Sequence, residues 1–251
     1  MKMRKFCLLL FCVFLPLSGW ATELPQPTMP PLEVDEEVPA QIVEMIRIAQ
    51  AEVVAADKKA LPRNNKYSIW YFNDQRRIGW CSCFISWCAH QAGLPLLKKK
   101  DAEPMPDDAV FVTNEAAVGN TFVTFEAAGR ITDIPRPGYT IIYGVRGSTP
   151  YTHVGMVESV QYLGDGVYEL TTLEGNVSNT CKRYAFRYVL NPTRAHRNFV
   201  AIPAQEQIRE DAQYKLHKEN WYITGFGQTW IPKAEQRVLP EIVGRDAPGA
   251  P

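Results

Sequence analysis

The sequence has no excess charge, no apolar run long enough to cross a bilayer and, in 251 residues, only four histidines. Its 27 basic residues balance 27 acidic ones, and no basic stripe supplies the electrostatic footprint that nucleic-acid binding requires. The run Phe6 to Leu17 falls short of the roughly 20 residues of a helical span. There is no internal repeat. The cysteines form no second cluster to complete a four-ligand zinc site. Lys98 to Lys100 make a short cationic run, which reads as a solvated loop.

What is present begins with MKMRKFCLLLFCVFLPLSGWA. Basic residues, an apolar stretch, and Gly19 and Ala21 at the positions a signal peptidase reads predict a signal peptide over 1–21, cut after Ala21. The expectation is an exported protein, periplasmic or secreted. No cysteine stands directly after the cut, where Thr22 lies, so no lipid anchor and no membrane attachment are expected after it. Removing that segment leaves 24 basic against 27 acidic residues, a net charge of −3, and four cysteines: Cys81, Cys83, Cys88 and Cys181. Residues 22–39 form a proline-rich, acidic leader. A domain over 40–232 follows, then a tail over 233–251.

Ile42, Ile46, Ala49 and Val53 recur at helical spacing. Leu61-Pro62 ends that helix, and PRNNKYSIWYFNDQRR reads as a loop. Phe84, Ile85, Cys88 and Ala92 then make a helical stripe from Cys81, closed by Gly93 and Pro95. A short helix is expected within Ala109 to Ala128. Beyond it, Tyr139 to Tyr143, Thr152 to Val160, Tyr168 to Leu173 and Arg183 to Val189 are rich in β-branched and aromatic residues. Helices first and strands afterwards predict an α+β fold with an antiparallel sheet.

GWCSCFISWC places three cysteines in eight positions. On a helix, Cys81 and Cys83 point about 200° apart, which disfavours a mutual bridge or shared metal ion. A thiol at the first turn of a helix is instead activated by orphan N–H groups and the helix dipole. The alternative is three small core residues. A nucleophilic thiol needs a base. His90 shares the helix but lies nine residues on, and His196 and His217 sit in polar, poorly patterned segments that read as surface. His153 opens the apolar strand HVGMVESV, with a glycine two places on that lets a neighbour approach. With a two-residue turn near Leu163 to Gly166, antiparallel partners sum to an odd number, so His153, Glu174 and Asn176 share one face.

These stretches resemble CHAP domains, the cysteine, histidine-dependent amidohydrolase/peptidase family. WCSCFISWC is similar to the family's nucleophile motif. PRPGYTIIYG, THVGMVESV and TTLEGNVSN resemble its later blocks in the expected order, and YITGFGQTWIP resembles its closing strand. The resemblance implies a papain-like α+β fold with Cys81 as nucleophile, His153 as base, Glu174 as orienter and Asn176 as a fourth polar residue. It implies an amide or peptide bond of bacterial peptidoglycan as substrate and no metal or organic cofactor. Tyr139 stands where the family usually has aspartate, and 191–220 reads as an insertion before the closing strand. Two other function classes stay open: a wall-binding scaffold without activity, and a thiol redox or metal protein built on Cys81, Cys83 and Cys88. Four thiols in an oxidising compartment leave two states open, a bridge from Cys181 to Cys83 or Cys88, or four reduced thiols.

Overall fold

The computed structural model describes residues 37–57, 59–73, 79–190, 197–214 and 217–236. The signal segment, the leader up to residue 36, His196 and the tail after Gln236 lie outside them. Helix α1 (Ala40–Ala56) buries Ile42, Met45, Ile46 and Ala49, the stripe its spacing demands. The segment expected as a loop contains a helix, α2 (Lys66–Phe72), which the Asn65 side chain caps by accepting from the Tyr67 and Ser68 N–H groups. Seven residues are too few for periodicity to reveal.

Helix α3 (Cys81–Gln91) is buried nearly all round, wider than a single stripe, because α1, α2 and the sheet enclose it together. A two-residue parallel pair, β1 (Leu96–Leu97) with β2 (Val112–Thr113), and helix α4 (Val118–Ala127) complete the first half. Phe125 of α4 packs with Phe111 and Ala128 in a satellite core.

The second half is one antiparallel sheet. Its strands are β3 (Ile131–Thr132), β4 (Thr140–Val145), β5 (His153–Gly164), β6 (Val167–Val177), β7 (Thr180–Val189), β8 (Phe199–Ala201) and β9 (Trp221–Gly227), in the order β3-β9-β4-β5-β6-β7-β8. The fold is α+β, as the order of patterns requires. Residue Tyr139, foreign to the family pattern, is buried with its ring edge-on to Trp230. Gly175 permits α3 to lie directly on β6, since a Cβ there would stand 2.6 Å from Phe84. The opposite face of the sheet is covered by the chain after β7, where Phe199 packs against Tyr143 and Phe186.

The β5–β6 hairpin turns through Asp165-Gly166 and contains two bulges, one beside Gly164 and one at Glu158. Each adds one residue to β5. The pairing sum starts odd at Gly164↔Val167, becomes even at Tyr162↔Tyr168 and returns to odd at Met156↔Leu173. The face shared by His153 and Glu174 therefore survives, though two shifts produce it rather than an uninterrupted register.

The bulge residue Glu158 is fully buried and held by three donors: Arg183 Nε at 2.8 Å, Arg183 Nη2 at 2.7 Å and Gln50 Nε2 of α1 at 2.6 Å. Arg183 also pairs with Asp211. The network ties α1, the bulge and β7. Arg183→Met should destabilise the protein by about 3–5 kcal/mol, because it leaves a buried carboxylate without its counter-charge. Adding Glu158→Leu should recover part of that loss, and urea denaturation midpoints of the two variants check both expectations.

Candidate active site

Cys81 is the first residue of α3. The residue before it, Trp80, occupies the N-cap position and its side chain makes no cap bond, which leaves the first-turn N–H groups to other acceptors. One of them, on Ser82, points at the Cys81 sulfur, as does the Val154 N–H, and His153 hydrogen-bonds the same atom. Burial alone would push this thiol up. The His153 bond and charge, with the two backbone donors, outweigh it, and Cys81 is lowered below the ordinary thiol value.

His153 opens β5, at the strand end nearest the start of α3. Its Nε2 lies 2.9 Å from Glu174 Oε2, so Nδ1 is the ring nitrogen left for the Cys81 sulfur. Burial works against the charged ring, but hydrogen bonds and charges from Cys81 and Glu174 raise His153 to about 10. The two shifts have opposite signs and a common cause, since each group is the hydrogen-bond partner and counter-charge of the other.

Glu174 is fully buried in β6, and burial disfavours its charge. The charge of His217 and the hydrogen bonds of His153 and His217 hold it well below the usual carboxylate range. Its Oε1 accepts from Tyr143 at 2.7 Å and Thr172 at 2.8 Å, and its Oε2 from His153 and from His217 at 3.0 Å. Burial, then Glu174, pushes the Tyr143 phenol well up, so it remains an O–H donor. The register explains the convergence. Tyr143 pairs with His153 and Thr172 with Tyr184, which places these residues and Glu174 on one face. Continuing the Met156↔Leu173 register sets Gly155 opposite Glu174, where a Cβ would stand 2.7 Å from Glu174 Cγ. Only glycine at 155 lets the carboxylate lean across to His153.

The structure separates the roles of Glu174 and Asn176. Asn176 shares the face by register but has φ 64° and sets its Nδ2 3.4 Å from where a Gly79 Cβ would stand. Among the described residues it makes no hydrogen bond to His153, and the orienting contact is that of Glu174. His217, expected at the surface, is the larger correction: it is 9% exposed and bonded to Glu174. Neither spacing nor pattern pointed to it, since only the fold-back of the chain after β7 brings it in. His90 is exposed at the far end of α3 against Trp70, as its spacing demanded.

All four described cysteines are free and buried; the structure carries no Cys181 bridge. Burial pushes Cys83 and Cys181 up to about 12 and Cys88 well above its ordinary value. Cys181 faces the Tyr67 hydroxyl at 3.5 Å. His153, Glu174 and His217 bring ligand atoms within 4.8 Å of one another, the set of described residues with metal-ligand chemistry. Each of the roughly four acceptor positions of the carboxylate already holds a donor, so the group reads as a hydrogen-bond hub.

A comparison with protein-family models matches residues 70–176 to the CHAP domain. No curated protein and no solved structure matches the chain. CHAP domains are in general hydrolases of the amidase or peptidase type that act on peptidoglycan. The matched span runs from α2 to Asn176 and encloses Cys81, His153 and Glu174, and over it the chain is similar to the CHAP domain.

Proposed function

We propose that the protein is an exported cysteine hydrolase that cleaves an amide or peptide bond in the peptide part of bacterial peptidoglycan, with Cys81 as nucleophile and His153 as acid and base. The observation that carries this reading is the Cys81–His153–Glu174 relay, in which thiol and imidazole are shifted in opposite directions. The N-terminal MKMRKFCLLLFCVFLPLSGWA supports export to the periplasm or medium.

The Cys81 thiolate attacks the carbonyl carbon, and the oxyanion forms against N–H groups at the uncapped start of α3. The C–N bond then breaks as His153 Nδ1 gives its proton to the departing amine, leaving a thioester on Cys81. Neutral His153 next takes a proton from water as the water oxygen attacks the thioester. Collapse releases the carboxylic acid and restores the thiolate. Glu174 keeps the proton on Nε2 throughout, so Nδ1 does the transferring.

Mass spectrometry of fragments released from purified sacculi tests the reading. Free stem peptides would identify cleavage at the sugar–peptide junction, and truncated or uncrosslinked stems would identify an endopeptidase. Release of neither by the mature protein, under conditions where Cys81 alkylates rapidly, would overturn the substrate class.

A further inference from the structure

We propose that His217 is a second positioning residue of the active site, an Nε2–H donor that shares Glu174 Oε2 with His153 and so sets how firmly the carboxylate holds the His153 ring. The inference rests on Cys81 and His153 being the reacting pair. It also places part of the catalytic centre outside residues 70–176, the span that the family model matches.

An ionised carboxylate only accepts. His217 Nε2 sits 3.0 Å from Oε2 and His153 Nε2 sits 2.9 Å from the same atom, so both rings must carry a proton on the nitrogen that faces it. Tyr143 and Thr172 already fix the carboxylate through Oε1. The work left to His217 is on Oε2: its N–H draws off negative charge that would otherwise fall wholly on His153. Without it the imidazolium is held more tightly and becomes a poorer acid for the departing amine.

The His217 ring is held for this task from several elements. It stacks on Trp221 of β9 with centroids 4.4 Å apart and planes 13° apart, stands edge-on to Tyr143 of β4 at 5.0 Å, and lies 4.9 Å from Tyr184 of β7. Its backbone carbonyl accepts from Arg197 at 3.1 Å. The groups facing the ring are thus Glu174 and His153 with the phenols of Tyr143 and Tyr184, and Arg197 at its backbone. A residue that served packing alone would need the ring but not the N–H, and phenylalanine would do as well.

That contrast supplies the experiment. Alkylation of Cys81 by iodoacetamide, followed across pH by mass spectrometry, reads the coupled titration without any substrate. Release of sacculus fragments reads turnover. In His217→Phe the two titration steps should move apart, each by about half a pH unit or more, with turnover down roughly tenfold. His217→Gln, which keeps an N–H donor, should return the profile towards wild type. His217→Met replaces the phenylalanine variant if that one does not fold. An unchanged profile in the donor-less variant, or the same loss in the glutamine variant with an unmoved profile, would overturn the proposal. A moved profile with no fragment released even by wild type would uphold it and refute the substrate instead.

Discussion

Cys81→Ser will abolish bond cleavage, by on the order of 10³-fold or more, while Cys83→Ser and Cys88→Ser will keep turnover per folded molecule within a few-fold. The three sulfurs lie on one helix and differ only in what surrounds them. Cys81 receives His153, the Ser82 N–H and the Val154 N–H and is lowered. Cys83 is pushed up to about 12 by burial and by the charge of Cys81, and burial raises Cys88 too. Of the three, Cys81 alone is shifted toward the thiolate. Serine at 81 keeps the shape but not the ionisation, since an alkoxide is far harder to form. The two other replacements bury a hydroxyl and will cost some stability, about 1–3 kcal/mol each. Iodoacetamide labelling under native conditions checks the ranking: fast reaction at Cys83 would refute it.

His153→Ala will lower turnover by at least 10²-fold, the scale of a positioned acid–base group. It will also slow Cys81 alkylation at neutral pH, because the thiolate loses its hydrogen bond and its counter-charge together. In the unaltered protein, activity should hold through neutrality and fall as pH rises through about 10, where His153 loses the proton needed by the leaving group. Stability follows the same proton. An unfolded imidazole titrates near 6.5, so the folded ring, raised to about 10, stabilises fully below about 6.5 and loses that contribution as pH climbs to about 10. Denaturation midpoints of wild type and His153→Ala should therefore converge on the alkaline side.

The centre of the site was legible because its parts have local signatures. Cys81 stands at a helix start, His153 at a strand start, and Glu174 two residues before Asn176 at the end of the return strand. The parity reasoning reached the right face by a path that the structure amends, since bulges are not written in a hydrophobic pattern. Helix α2 escaped because seven residues carry little periodicity, although Asn65 was a cap in plain sight. His217 escaped for a different reason. Its neighbours in sequence are polar, and its partners Glu174, Tyr143 and Trp221 come from three strands. No window of sequence contains that contact. The free state of Cys181 was open as well, since nothing in its spacing decides between a bridge and the Tyr67 hydroxyl it faces.

The bulge at Glu158 leaves the pairing on its two sides intact, since Val157 still faces Thr172 and Ser159 still faces Thr171. Removing that one residue would therefore keep His153 in its place along β6 and take away instead the carboxylate that Arg183 and Gln50 grip. The extra residue is an anchor point inserted into the strand: it fastens the hairpin to α1 and β7 without disturbing the alignment of the reacting groups.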